Sequence, residues 1–132
     1  MSTELYDERK KRGIKRLINS FKYSIAGLKH AYTKEQSMAI HIIIALLVIG
    51  TGFFFKIDNT EWLFVILLIG FVIATELINT AIEATVDLLS PGKNGFAKIA
   101  KDTAAAAVFV LSLVAFVGGL IIFIPKIIEK FF

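Results

Sequence analysis

Cysteine is absent from the 132 residues, which rules out a disulfide framework, a thiolate metal site and a cysteine nucleophile together. Histidine is almost as scarce: His30 and His41 are the two present, and a His-based metal centre is not expected from them. Neither a G-x-x-x-x-G-K-[ST] string nor the glycine-rich loop of protein kinases is found, so the usual soluble cradles for nucleotide phosphates are missing. A secretory leader places an apolar stretch close behind a short basic start. Here roughly three dozen polar or amphipathic residues come first, and the chain is not expected to be secreted. Charge is also missing, over long tracts. The chain is 56% hydrophobic and 20% charged, against about 45–50% and about 25% in a typical soluble domain.

The charge that remains is crowded. Nine of the fifteen Lys and Arg residues lie within the first 36. Beside apolar spans, this excess reads as the basic cytoplasmic face of a membrane protein rather than a nucleic-acid surface. The cluster Arg9-Lys10-Lys11-Arg12 suits anionic headgroups, and equally suits a solvated charge run. After it, Ile14, Leu17, Ile18, Phe21, Ile25, Leu28 and Tyr32 recur at helical steps, with Lys15, Arg16, Lys22 and Lys29 on the other faces. That pattern predicts an amphipathic helix over 13–33 lying in the membrane surface.

Three apolar tracts follow. Residues 38–55 and 103–125 contain no Asp, Glu, Lys or Arg, and neither do residues 62–75, whose apolar character continues to Val86 with polar interruptions. At about 1.5 Å per residue the first nearly crosses a hydrocarbon core of roughly 30 Å as a helix, and the three read as spans, the second polar in its later half. The expected fold is an all-α integral membrane protein in one domain, 1–132. It has a surface helix at 13–33 and spans at 36–56, 62–89 and 100–125. Ser90-Pro91-Gly92 ends the second span and Pro125 falls near the end of the third. Cations number nine before the first span, one (Lys56) in the first loop, three in the second and two in the tail. This alternation puts the N-terminus and second loop in the cytoplasm, in a multi-pass protein of the cell membrane.

Glu76, Asn79, Glu83 and Asp87 are the most informative residues. At about 100° per residue they lie near 0, 300, 340 and 20 degrees, one narrow stripe of the second span. An acid at the centre of a spanning helix costs about 2.5–3.5 kcal/mol, so several on one face point to a functional site by default. For Asp87, emergence at the interface is an equally good account. Glu35 precedes the first span and Lys101-Asp102 the third, beside the small run 104–107 that permits close helix approach. Carboxylates converging with a Lys and an Asn suit a hard cation such as Mg²⁺ with phosphate oxygens. A deeper carboxylate suits proton acceptance from an alcohol. Composition and spacing alone stop at a metal or proton site in a small membrane bundle.

The string Glu76-Leu-Ile-Asn79-Thr80-Ala81-Ile82-Glu83-Ala84-Thr85-Val86-Asp87, followed by Ala100-Lys101-Asp102 and the alanine run, resembles the signature of the prokaryotic diacylglycerol kinase family. Phe21-Lys-Tyr23-Ser-Ile-Ala-Gly27-Leu28, Glu35 and Glu61-Trp62 extend the resemblance along nearly the whole chain. The resemblance implies a membrane lipid kinase using ATP and Mg²⁺, working as a homotrimer with its sites between subunits. It implies Glu76 as general base on the lipid hydroxyl, Glu35 and Glu83 as carboxylates holding Mg²⁺ with ATP, and Asn79, Lys101 and Asp102 in the nucleotide and catalytic site. Arg16 and Tyr23 would lie near ATP, and Ala105 near the lipid. Gly92-Lys93-Asn94 falls where that family's loop meets nucleotide, with different local residues.

His41 stands where one branch of the family has Glu and uses diacylglycerol; the Gram-positive branch, with His, phosphorylates undecaprenol. The expectation is therefore an undecaprenol kinase, with diacylglycerol kinase as the alternative and a non-enzymatic adaptor or ion-binding protein as a remote one. Ser37-Met38-Ala39 departs from the Asn and Arg that many relatives carry after the first-span Glu.

Overall fold

The computed structural model describes residues 13–92 and 94–132. The cluster 9–12, read above as suiting either lipid headgroups or a solvated charge run, and Lys93 lie outside the described residues. Four helices follow in order: α1 (Ile14–Lys34), α2 (Gln36–Phe55), α3 (Asn59–Leu89) and α4 (Gly95–Phe131). The chain divides into two compact units, one ending at Lys34 and the other comprising Glu35–Phe132.

The first unit contains α1. Gly13 precedes it with φ +109°, a conformation in which a side chain would be strained. Its carbonyl accepts from the backbone N–H groups of Arg16 and Leu17, at 3.1 and 3.3 Å. The apolar stripe of α1 stays outside: Ile14, Leu17, Phe21 and Ile25 are all exposed.

The second unit is a three-helix bundle in which α3 packs chiefly on α4, less on α2, while α2 and α4 scarcely meet. All three helices are long and apolar enough to cross a membrane. With 20, 31 and 37 residues, they extend about 30, 46 and 55 Å at about 1.5 Å per residue. Buried positions are few and form seams. On α2 they are Met38, Ala45 and Gly52, seven apart; on α3 they are Val65, Val72, Glu76, Asn79 and Thr80; on α4 they are Ala104 and Val108. Small residues at the contacts bring the backbones close, while Leu47, Phe64, Ile66, Phe109 and Phe116 are exposed. That is the reverse of a water-soluble bundle and suits a lipid surround.

Three boundaries differ from the sequence expectation. Asp58 caps α3 by accepting from the N–H groups of Thr60 and Glu61, at 2.8 and 2.9 Å, while the Glu61 carboxylate accepts from the Asp58 N–H at 2.8 Å. This capping box starts the helix three residues before position 62. Asn94 caps α4 in the same way through Phe96 N–H, so this helix begins at Gly95. At its other end it runs through Pro125 to Phe131, whereas the sequence puts the end near the proline. In the α2–α3 turn Lys56 is left-handed, with φ 52°, and donates its N–H to Phe53. Gly52 lets Trp62 lie against α2, with the Trp62 and Phe53 rings 4.8 Å apart. Lys126 of α4 closes the same end by pairing with Glu61 at 3.1 Å.

Candidate functional site

The polar stripe of α3 grades from buried to exposed along the helix. Glu76 lies seventeen residues from Asn59, about 25 Å along an axis rising about 1.5 Å per residue. It is 2% exposed. One turn on, Asn79 and Thr80 are also buried, Glu83 is half-buried and Asp87 is exposed. A carboxylate withdrawn from solvent needs a hydrogen-bond partner. Here the Ser37 hydroxyl, from the first turn of α2, donates to Glu76 Oε1. The Thr80 hydroxyl donates to the Glu76 backbone carbonyl at 3.1 Å, which leaves the carboxylate to Ser37.

Next along the stripe, Asn79 Nδ2 donates to Glu83 Oε1 at 3.2 Å. That orientation turns Asn79 Oδ1 away, buried and without a donor. An orphaned carbonyl oxygen beside a carboxylate is an oxygen pair of the kind that hard cations take. Among the described residues no group of three His, Asp or Glu residues stands ready to hold a metal. Mg²⁺ does not require one, because it commonly uses one or two carboxylates and completes its shell with phosphate and water.

At the far end Lys101 of α4 donates to both oxygens of Asp87, at 3.0 and 3.1 Å. Glu83 and Glu35 act on the same ammonium through space. Glu35 is the N-cap residue of α2, yet its side chain makes no capping hydrogen bond, so its carboxylate is not committed to the helix. Glu35, Glu83, Asp87 and Lys101 therefore gather at one end of the bundle, with Asn79 and Glu76 progressively deeper.

Not every expected residue joins them. Asp102 is exposed and paired with Lys98, four residues back on α4. Consecutive helical residues point about 100° apart, and here Lys101 turns to Asp87 while Asp102 turns to Lys98. Ala105 is exposed on α4. Arg16 and Tyr23 lie on α1, in the other unit, where Arg16 is exposed and Tyr23 half-buried.

An apolar cavity of about 380 Å³ is lined by all three long helices. Val72 and Ile73, the turn before Glu76, form part of its wall, and its polar lining residues are His41 and Ser112. Seven helical Ser and Thr hydroxyls elsewhere donate to the carbonyl four residues back. Ser112 Oγ does not; it is buried and has no partner. The meeting of Lys101 with the acidic stripe is as expected from the sequence, with Asp87 as the partner; the Ser37 and Ser112 arrangements depend on which helices meet and carry no sequence signal.

Sequence comparison agrees with this geometry. The family described as prokaryotic diacylglycerol kinase matches residues 22–123. Undecaprenol kinase of Bacillus subtilis (strain 168) is 38% identical over 114 residues, covering 86% of this chain and 93% of that protein. Diacylglycerol kinase of Haemophilus influenzae is 36% identical over 112 residues, covering 84% and 95%. Diacylglycerol kinase of Escherichia coli (strain K12) is 29% identical over 103 residues, covering 78% and 84%. The chain belongs to the prokaryotic diacylglycerol kinase family and is a multi-pass membrane lipid kinase that uses ATP.

Proposed function

We propose that the lipid is undecaprenol: the γ-phosphoryl group of ATP passes to its hydroxyl, giving ADP and undecaprenyl phosphate. The observation that carries the mechanism is Glu76, a buried carboxylate midway along α3 with polar groups stacked on one side of it and apolar cavity on the other. In this reading the isoprenoid chain enters laterally from the bilayer and lies along Val72 and Ile73, with its hydroxyl at Glu76. Glu76 takes the hydroxyl proton as the alcohol oxygen bonds to the γ-phosphorus. The bond from that phosphorus to the β–γ bridging oxygen breaks, and ADP leaves with the electron pair. Such transfers need positioning and charge neutralisation more than covalent help.

Glu83, Asn79 Oδ1 and Glu35 would hold Mg²⁺. When bound, the ion neutralises phosphate charge and orients the phosphates. Lys101, held by Asp87, faces the same phosphates. Arg16 and Tyr23 of α1 would cover the nucleotide. Cation excess supports a cytoplasmic N-terminus and α3–α4 loop in the cell membrane. The two cations of the last turns are each tied to a protein partner, Lys126 to Glu61 and Lys130 over the Phe54 ring at 3.8 Å. The homotrimer is what the family resemblance implies, and the exposure of Asp102 and Ala105 on the single chain leaves them free to enter a neighbouring subunit's site. Residues 1–132 would act as one kinase domain.

The B. subtilis relative named undecaprenol kinase and His41 at the cavity wall favour the polyprenol. The second reading, diacylglycerol, is favoured by relatives carrying that name. Purified protein with radiolabelled ATP, Mg²⁺ and each lipid separates the two: faster labelling of undecaprenol is expected, and a clear preference for diacylglycerol would overturn the substrate assignment. Glu76→Gln should abolish transfer to either lipid while the protein still inserts and assembles.

A further inference from the structure

Ser37 opens α2 as its second residue. A helical serine ordinarily returns its hydroxyl to the carbonyl four residues back, as Ser20 and Ser24 do at 2.9 Å. For Ser37 that carbonyl belongs to Thr33, before the break at Glu35, where the backbone is extended with φ −105° and ψ 115°. The hydroxyl is therefore available, and it reaches across to α3, where it donates to Glu76 Oε1. The next residue, Met38, is completely buried and fixes the turn that carries Ser37. Two residues 39 apart in the chain are joined at the most buried carboxylate of the stripe.

We propose that Ser37 is a positioning residue for Glu76. A glutamate has three rotatable bonds and two equivalent oxygens, and a hydrogen bond to one oxygen selects a rotamer and distinguishes them. Oε1 is held by Ser37, and Oε2 is the oxygen presented to the lipid alcohol. The hydroxyl suits this place better than a charged donor because it orients the carboxylate without neutralising it, so proton acceptance is preserved. The inference rests on Glu76 acting as the base.

The test is steady-state kinetics of Ser37→Ala, Ser37→Thr and Ser37→Val with undecaprenol and Mg²⁺-ATP, beside Glu76→Gln. Threonine and valine have nearly the same shape and differ by the hydroxyl. Removing a hydrogen bond to a charged group should lower kcat about tenfold in Ser37→Ala and Ser37→Val. KM for ATP should stay the same, and Ser37→Thr should recover most of the rate. A kcat within twofold of the parent in Ser37→Val, or a Thr variant as slow as the Val variant, overturns the positioning role. So does a change confined to KM for ATP. If Glu76→Gln is inactive and Ser37→Val is normal, the base stands and Ser37 alone is excluded. If Glu76→Gln keeps its turnover, the base and its positioning residue fall together.

Discussion

Lys101 of α4 grips both carboxylate oxygens of Asp87 on α3, at 3.0 and 3.1 Å, and so joins the two helices across the turn between them. Both side chains remain substantially exposed, at 35% and 66%, and exposed ion pairs contribute little to stability. The pair matters instead for where the ammonium sits. Asp87→Asn should leave thermal unfolding in detergent nearly unchanged while raising KM for ATP severalfold, because Lys101 is then free to sample other rotamers. Measuring both quantities on one preparation checks this. A large fall in melting temperature with an unaltered KM would make the pair a structural strut.

The Asn79–Glu83 contact makes a separate prediction about metal. Asn79 Nδ2 is engaged at 3.2 Å by Glu83, and this leaves Oδ1 buried and unpartnered. Glu83→Gln removes a carboxylate ligand and should shift the Mg²⁺ concentration for half-maximal rate upward by tenfold or so, as ligand-shell changes do. KM for the lipid should be unaffected. The check is a Mg²⁺ titration at saturating ATP, and an unshifted curve would exclude Glu83 as a ligand.

How far the sequence carries is visible in these residues. Charge-free tracts located the three spans, because lipid excludes charge, but such tracts mark the hydrocarbon slab rather than the helix. The ends of α3 and α4 therefore escaped: the Asp58–Glu61 box and the Asn94 cap lie in polar sequence. Pro125 forgoes one backbone donor, yet the helix continues past it for a further six residues. Periodicity correctly placed Glu76, Asn79, Glu83 and Asp87 on one face, since that is a property of a single helix. It does not say which neighbour meets that face. Ser37 with Glu76 and Lys101 with Asp87 are tertiary facts, set by which helices meet, whereas the partner of Asp102 within the chain, Lys98, lies one turn away on its own helix.

Gly52 offers a test of the bundle. A Cβ placed there would stand 2.8 Å from Trp62 Cη2 and 3.1 Å from Ile57 Cδ1. Trp62 has little room to yield, because its ring is packed on Phe53 and Ile57 beside it is buried. Gly52→Ala should therefore destabilise the fold by about 1–3 kcal/mol, the usual cost of overpacking. Thermal or denaturant unfolding in detergent reads this directly. The site lies toward the other end of α2, so kcat of the folded fraction should be unchanged.

The cavity beside Glu76 gives the prediction most specific to the lipid. Its wall includes Val72 and Ile73 from α3 and Ala115 and Phe116 from α4. A lipid chain seated there gains by removing apolar surface from competing environments and by close packing, so its affinity depends on the space being open. Ala115→Phe fills that space from α4 without touching the polar stripe. The rise in KM for undecaprenol should be severalfold, with KM for ATP and the Mg²⁺ dependence unchanged. Shorter polyprenols should be less affected, because they occupy less of the wall. Equal KM values for the parent and Ala115→Phe with every chain length would mean that the hydroxyl reaches Glu76 by another route.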